Sequence, residues 1–223
     1  MNRAPRLYVI TDRRQARNLL SAAESAAEAG APALQLREKD LDAASLYELA
    51  VELRKLLERH RTALYNNDRA DVAAAAGAGG VQVRADSLAP REVRACFPQL
   101  AIGCSVHGLA EALKACESGA DFLVFGPIFA TPSKQAYGPP QGLAALAAVC
   151  RAATLPVLAV GGITPERVAE VLEQGAHGVA AIGAIWAEPD DSSGRGRGSA
   201  RSAPMAGRAV ERFLEALAES SRA

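Results

Sequence analysis

The chain has 223 residues, and its 25 basic and 25 acidic side chains give a formal net charge of zero. This balance argues against broad attraction to nucleic acids or membrane surfaces, so basic residues are expected to act locally on a small anionic ligand. Hydrophobic residues make up 49% of the chain, enough for a sizeable single core, and no apolar run is long enough to cross a bilayer.

Short strand-like runs alternate with Ala-, Leu- and Glu-rich helical stretches along almost the whole chain. The predicted strands cover residues 7–11, 33–37, 62–66, 80–83, 101–105, 122–126, 156–160 and 179–182. The predicted helices cover residues 20–29, 45–60, 71–76, 90–96, 109–118, 143–152, 165–173 and 208–218. Eight strand–helix units predict a closed (β/α)8 TIM barrel, an α/β fold that forms a single domain over residues 1–223.

An open, doubly wound sheet is the rival architecture. Such a sheet usually carries a G-x-G-x-x-G turn after its first strand, whereas this chain continues as Thr11-Asp12-Arg13-Arg14. Within the barrel prediction, residues 188–204 stand apart because they are rich in Asp, Ser, Gly and Arg. We expect a flexible insertion there, before the last helix.

The four cysteines show no C-x-x-C pair and no regular spacing, and they lie at Cys96, Cys104, Cys116 and Cys150. Buried, reduced thiols in a cytoplasmic protein are therefore expected. The first six residues carry charge but no long apolar region follows them, so no signal peptide is predicted.

Polar side chains gather where the predicted second strand ends. Gln35 and Arg37 are two residues apart and share one face of the strand, and Glu38 and Lys39 follow directly. In a barrel these groups would stand at the mouth of the active site, where arginine suits bidentate phosphate contacts and lysine adds a point charge. The structural alternative is a strand end that is simply solvated by its charges.

Two aspartates follow neighbouring strands. Asp68 comes after Asn67 at the end of the third strand, and Asp86 lies just beyond the fourth. Magnesium is typically held by one or two carboxylates together with substrate phosphates, so this pair is a candidate Mg²⁺ site. The alternative for Asn67 and Asp68 is turn chemistry or capping of the next helix.

The fifth and sixth strands lead into further candidate residues. Ser105 and His107 are two residues apart, and His107 is the one histidine at a predicted strand end on the catalytic side. After the sixth strand, Thr131, Ser133 and Lys134 offer two hydroxyls and an ammonium group that suit a phosphate oxygen. A packed or solvated histidine and an ordinary surface loop are the respective alternatives.

Together these residues resemble the thiamine-phosphate synthase family and its close relatives, the thiazole tautomerases. The similarity runs from Leu7 to about Trp186 and rests on blocks in the family order, at residues 35–39, 67–69, 105–107, 126–134, 141–143 and 159–164. The resemblance implies a (β/α)8 transferase of thiamine biosynthesis that uses Mg²⁺. Such an enzyme couples hydroxymethylpyrimidine diphosphate to thiazole phosphate and releases pyrophosphate.

The resemblance also implies roles for individual positions. The candidate catalytic residues are Arg37, Ser105, His107 and Lys134. The segment from Gln35 to Lys39 with Asn67, Ser105 and Lys134 would bind the pyrimidine diphosphate, and the thiazole phosphate would contact Thr131, Ser133, Gly162, Ile182 and Gly183. One of the two magnesium-binding aspartates matches Asp68, and Asp86 is the candidate for the other.

Two positions depart from the synthase pattern. Where the family usually carries His-hydrophobic-Gly-Gln-x-Asp, this chain reads Gln82-Val83-Arg84-Ala85-Asp86. Asp86 matches the second aspartate only if one residue is deleted, and otherwise Ser87 takes that place. Gly183 stands where a serine is usual.

These departures keep two alternatives open. One is a thiazole tautomerase in which His107 moves a proton during aromatisation of a thiazole carboxylate phosphate. The other is a non-catalytic regulatory barrel that binds a phosphorylated ligand. The expected partners are small phosphorylated substrates, with no nucleic acid and no membrane, and a homo-oligomer stays open.

Overall fold

The computed structural model describes residues 4–16, 18–84, 86–131, 139–186 and 202–220. Within these ranges, parallel strands close into one barrel in which each strand pairs with its neighbours in chain order and the first pairs with the last. The strands are β1 (Leu7–Ile10), β2 (Ala33–Leu36), β3 (Ala63–Asn67), β4 (Gly80–Val83), β5 (Ala101–Val106), β6 (Phe122–Phe125), β7 (Val157–Val160) and β8 (Gly178–Ala181). The predicted (β/α)8 barrel is confirmed.

Helices cover the outside of the barrel. They are α1 (Leu19–Glu28), α2 (Ala43–Glu58), α3 (Ala70–Ala76), α4 (Pro90–Cys96), α5 (Leu109–Glu117), α6 (Gly142–Ala152), α7 (Val168–Glu173), α8 (Gly183–Trp186) and α9 (Ser202–Glu219). The first two begin at side-chain caps, because Asn18 accepts from the Ser21 N–H and Asp42 accepts from the Ser45 N–H. The third ends at Gly77, whose φ of 70° suits a residue without a Cβ.

The interior of the barrel is filled by aromatic side chains from three strands. Tyr8, Tyr65 and Phe122 pack edge to face, with ring centroids 5.3–5.8 Å apart. Burial raises the pKa of the Tyr8 hydroxyl well above its usual value, so this group stays neutral. The packed interior closes the barrel below the strand ends and confines chemistry to the loops above it.

Two boundaries near the end of the chain differ from the sequence prediction. The residues after β8 lie outside every predicted helix, but they form the one-turn helix α8, where the Trp186 indole N–H donates to the Ile10 carbonyl at 2.6 Å. The last helix begins at Ser202, so the predicted insertion over 188–204 is too long by three residues. Pro204 is tolerated there because the N–H groups of a first helical turn lack intrahelical partners.

The cysteines are free thiols, as predicted, but they are not uniformly buried. Cys104 is buried, Cys116 and Cys150 are half-buried, and Cys96 is exposed at the end of α4, which corrects the expectation for that residue. Burial raises the pKa of Cys104 to about 11, so this thiol is protonated at neutral pH.

Candidate active site

A buried carboxylate joins the loops that follow β1 and β2. Glu38 is 6% exposed and accepts a hydrogen bond from the Thr11 hydroxyl at 2.6 Å and from the Arg13 backbone N–H at 3.2 Å. Thr11 in turn accepts from the Arg37 backbone N–H at 2.9 Å. The network therefore fixes the backbone of Arg37. Protein groups already engage the Glu38 carboxylate, and its role as a substrate contact stays a prediction.

The ionisation of Glu38 gives this network a testable pH dependence. Burial raises the pKa of Glu38, although the Thr11 hydroxyl and the Arg13 N–H favour the ionised form and oppose the shift. A raised pKa in the folded state gives stability that is fully present below the unfolded-state pKa and is lost as pH rises through the folded-state pKa. Relative to Glu38→Gln, the wild-type free energy of unfolding should therefore fall as pH rises above about 4.3.

Denaturant titrations of both proteins between pH 4 and 8 check this expectation. At neutral pH, Glu38→Gln keeps an acceptor for Thr11 and should cost less than about 1 kcal/mol, whereas Glu38→Ala strands both donors and should cost about 2–3 kcal/mol. Asp42 is the control of opposite sign: the Ser45 N–H holds its pKa below the usual value, so the stability it contributes relative to Asp42→Asn should rise with pH, and only at the acid end of the titration, below about pH 5. Parallel pH profiles for wild type and Glu38→Gln would contradict the assignment.

A cationic group stands at the end of β2. Arg37 continues the strand face from which Gln35 points into the barrel, its side chain is half-buried, and no described carboxylate forms an ion pair with it. Lys39, two residues further on, is exposed. The positions predicted to join them, Ser133 and Lys134, lie outside the described residues.

Neutral amides line the carboxyl ends of the central strands. The Gln35 amide donates to Asn67 Oδ1 at 3.2 Å, and the Gln82 amide donates to Ser105 Oγ at 3.0 Å. Gly103 makes room for this row, because a Cβ there would overlap Gln82 Oε1 and lie 2.6 Å from the Phe122 ring. Gln82 Oε1 is buried beside Gly103 and has no hydrogen-bond partner among the described residues. The sequence prediction gave Gln82 no role.

The two predicted metal ligands face the same arginine. Arg84 Nε lies 3.4 Å from Asp68 Oδ2 and 3.2 Å from Asp86 Oδ1. Asp68 adopts a φ of 64°, and its Oδ1 is buried without a hydrogen-bond partner among the described residues. The structure thus brings the predicted carboxylates together, with a guanidinium between them that the sequence did not place there.

His107 lies beside the loop that follows β6. Its Nδ1 is 2.6 Å from the Gly126 carbonyl oxygen, and its backbone N–H donates to Glu111 Oε2 at 2.7 Å. A carbonyl can only accept, so Nδ1 carries a hydrogen, and the His107 side chain is exposed. The contact positions the start of the loop that leads to Thr131.

The loops after β6 and β7 pair with each other. Ile128 N–H donates to the Val160 carbonyl at 2.9 Å and Phe129 N–H donates to the Gly161 carbonyl at 3.0 Å. Gly162, with a φ of 65°, sits so close that a Cβ would lie 2.8 Å from Phe129 Cβ. Arg167 binds both loops, since its Nη1 donates to the Gly162 carbonyl at 2.8 Å and its guanidinium lies 4.4 Å from the Phe129 ring centroid.

The end of β8 adds the remaining predicted contacts. Ile182 is half-buried against the interior cluster, and Gly183 opens α8. A Cβ on Gly183 would lie 3.6 Å from the side-chain oxygen of Gln15, so the β1 loop also borders this position. Sequence reasoning therefore brought Ile182, Gly183, Gly162 and Thr131 to the same barrel end, although their contacts with a substrate stay a prediction.

A second group of metal-type ligands lies elsewhere on the surface. Side-chain donor atoms of Glu24, Glu28 and His60 are within 4.8 Å of one another, and Glu24 also faces Arg59 at 3.7 Å. Glu24 and Glu28 lie on α1, and His60 lies in the turn between α2 and β3, at the end of the barrel opposite the carboxyl ends of the strands. They take no part in the site described above.

In the described part of the chain, no helix is long and apolar enough to span a membrane.

The fold and the site are those of the (β/α)8-barrel enzymes, whose chemistry takes place in the loops at the carboxyl ends of the strands. Residues 7–185 match the sequence profile of a family described as thiamine monophosphate synthase. The chain belongs to that family, as the sequence predicted.

Relatives and solved structures agree with this membership. The chain is 43% identical over 187 residues to a "Thiamine-phosphate synthase" of Methanoculleus marisnigri, covering 82% of this chain and 89% of the relative. It is 42% identical to one of Roseiflexus castenholzii, covering 82% of each. A solved "Thiamine phosphate pyrophosphorylase from Pyrococcus furiosus" superimposes with a TM-score of 0.81 at 32% identity, covering 96% of both chains.

Proposed function

We propose that this chain is a thiamine-phosphate synthase, a transferase that joins hydroxymethylpyrimidine diphosphate to thiazole phosphate and releases pyrophosphate. The observation that carries the proposal is its identity of 42–43% to relatives of that name over 82% of its length. The barrel and the residues gathered at its carboxyl end support it. The proposal places the enzyme in a reducing compartment, the cytoplasm, which suits its four free thiols.

The reaction needs charge stabilisation more than a protein nucleophile. The bond between the pyrimidine methylene carbon and the diphosphate oxygen breaks, and its electron pair leaves on pyrophosphate. The electron-rich aminopyrimidine carries the positive charge on its methylene until the thiazole nitrogen attacks. Arg37, Lys39 and Lys134 are the cations that would stabilise the departing oxygens, and positioning of the two substrates would supply much of the remaining rate.

The amide row suits the neutral ring of the pyrimidine. Gln35, Asn67, Gln82 and Ser105 offer donors and acceptors at the mouth without adding charge, and the buried Gln82 Oε1 has no hydrogen-bond partner among the described residues. An unpaired buried acceptor is costly, so a ring amino group that reached it would gain discrimination over analogues that lack one. If the neutral amides bind the pyrimidine ring, the surrounding cations and loops would bind the phosphates.

The paired loops after β6 and β7 suit the phosphate of the thiazole. Gly161 and Gly162 let the backbone come close, and Thr131 lies on the loop that packs against them. Backbone N–H groups and a threonine hydroxyl bind phosphate oxygens well. Ile182 and Gly183 border the same end of the barrel and complete the proposed contacts.

The acidic pair fits a cation by its donor chemistry. Both carboxylates lie within 3.4 Å of the same Arg84 Nε, and Asp68 Oδ1 is a buried oxygen without a hydrogen-bond partner among the described residues, so hard oxygen ligands are on hand. Asp68 and Asp86 would hold Mg²⁺. When bound, that ion adds positive charge near the diphosphate.

Incubation of the protein with both substrates and Mg²⁺ tests the proposal. Thiamine phosphate and pyrophosphate should appear in equal amounts, and omission of either substrate should abolish both products. Turnover of the thiazole carboxylate phosphate alone, lost in His107→Ala, would favour the tautomerase alternative. Binding of the phosphorylated ligands with neither reaction would favour the regulatory barrel.

A further inference from the structure

The contacts between the β3 and β4 loops point to a role for Arg84. We propose that its guanidinium is a built-in counter-ion, which occupies the Asp68–Asp86 pair in the metal-free protein and competes with a divalent cation for these carboxylates. Its consequence for catalysis rests on the proposed function, whereas the competition itself concerns the free protein. Arg84 would then decide when metal enters the site.

One guanidinium spans both carboxylates. Arg84 Nε is 3.4 Å from Asp68 Oδ2 and 3.2 Å from Asp86 Oδ1, and Nη2 donates to Asp86 Oδ2 at 3.3 Å. Because Arg84 contacts both oxygens of Asp86, a divalent cation held by these two residues would share at least one oxygen with it. The arginine and the metal carry like charges and need the same ligands, so the two compete.

The guanidinium is placed by charge more than by well-formed hydrogen bonds. Its Nε is buried but makes no hydrogen bond of good geometry with the described residues, and the neighbouring Asp68 Oδ1 is likewise unpartnered. A buried donor and a buried acceptor that do not pair make this contact a weak one for its charge. A cation that satisfied Asp68 more fully would displace the arginine.

The backbone of Arg84 is anchored independently of its side chain. Its N–H donates to Ser87 Oγ at 2.9 Å, and the Ser87 hydroxyl donates back to the Arg84 carbonyl at 2.9 Å. The side chain is 38% exposed, so solvent-accessible space lies next to it. The guanidinium is therefore able to leave the carboxylates while the loop keeps its shape.

A diphosphate is the ligand that would draw the Arg84 guanidinium away from the two aspartates. Guanidinium groups bind phosphate oxygens bidentately, and the proposed substrate carries a diphosphate into the same barrel mouth. Arrival of the anion would uncover the aspartates, and metal would follow. The free protein should accordingly bind divalent metal weakly.

Titration of the metal-free protein with Mn²⁺ tests the competition without any turnover. Binding is measured as the loss of the electron paramagnetic resonance signal of free Mn²⁺. Arg84→Met should bind Mn²⁺ about tenfold more tightly than wild type or better, because a unit charge next to the ion has been removed. Arg84→Lys, which keeps a charge, should gain much less. Adding Asp68→Asn to Arg84→Met should abolish the gain.

Arg91→Met is the matched control, since Arg91 is exposed, pairs only with Glu92 among the described residues and carries the same charge. Screening at physiological salt should limit its effect to less than about threefold. Equal Mn²⁺ affinity in wild type and Arg84→Met, or an equal gain in Arg91→Met, would overturn the proposal. If Arg84→Met fails to fold by circular dichroism, Arg84→Gly repeats the comparison.

Calorimetry with inorganic pyrophosphate in buffer containing EDTA separates this inference from the proposed function. Wild type should bind pyrophosphate, and Arg84→Met should bind it several-fold more weakly because a cation that the anion attracts is gone. Absence of pyrophosphate binding in wild type would count against the proposed function, while the Mn²⁺ result would still decide the competition. Unchanged pyrophosphate affinity in Arg84→Met would remove the arginine from the diphosphate site.

Discussion

Replacement of Arg37 by alanine is expected to lower kcat/KM for the pyrimidine diphosphate by about a hundredfold to a thousandfold, with little change in melting temperature. Loss of one charge-stabilising donor at a leaving group is of this size. The side chain is half-buried and has no described ion-pair partner, and the structural hydrogen bond of this residue comes from its backbone N–H, which alanine keeps. Steady-state kinetics and thermal unfolding of the same preparation measure both quantities.

Two further variants sharpen the Arg37 prediction. Arg37→Lys keeps the charge but loses the bidentate fork, so its activity should fall between those of wild type and alanine. Arg54→Ala removes an arginine that pairs with Glu58 on α2 and should leave kcat/KM unchanged. A melting temperature that falls steeply in Arg37→Ala while kcat/KM holds would make the residue structural.

Gly162→Ala is expected to reduce kcat/KM by about tenfold to a hundredfold and to destabilise the protein as well. A Cβ at this position would lie 2.8 Å from Phe129 Cβ and 2.9 Å from the Ala130 carbonyl oxygen, and the φ of 65° is unfavourable for alanine. The clash would push apart the two loops proposed to hold the thiazole phosphate, and displacement of about an ångström is costly in catalysis. KM for the thiazole phosphate should rise most.

Gly119→Ala is the control for the cost of the left-handed backbone conformation alone. Gly119 has a φ of 85°, but a Cβ there meets nothing within 4 Å. It should therefore lose about 1 kcal/mol of stability from the left-handed conformation and keep normal kinetics. Equal kinetic effects in the two variants would show that loop separation is not the cause.

The barrel was predictable from sequence because its evidence is repetitive. Short apolar runs alternate with amphipathic stretches, and parallel strands that are buried on both faces leave that pattern. Spacing by two also placed Gln35 and Arg37 on one strand face, and the Gln35–Asn67 contact follows from adjacent strands. Signals of this kind are local, so they can be read from the sequence alone.

Contacts across loops were beyond the sequence for a physical reason. Glu38 meets Thr11 across 27 residues, and nothing in either segment marks a buried carboxylate whose partners are a hydroxyl and a backbone N–H. Arg84 was visible as a departure from the family pattern, yet its position between two aspartates depends on how the β3 and β4 loops approach each other. The one-turn helix α8 is too short to leave a periodic pattern.

Arg167 gives the upper rim of the barrel a mechanical property. By holding the Gly162 carbonyl and covering the Phe129 ring, it ties residues 128–129 after β6 to residues 160–162 after β7. The part of the proposed phosphate site that these residues form would keep its shape when the anion binds, so little conformational freedom is lost there. The residence time of the anion would then depend more on its own rehydration than on movement of residues 128–129 and 160–162.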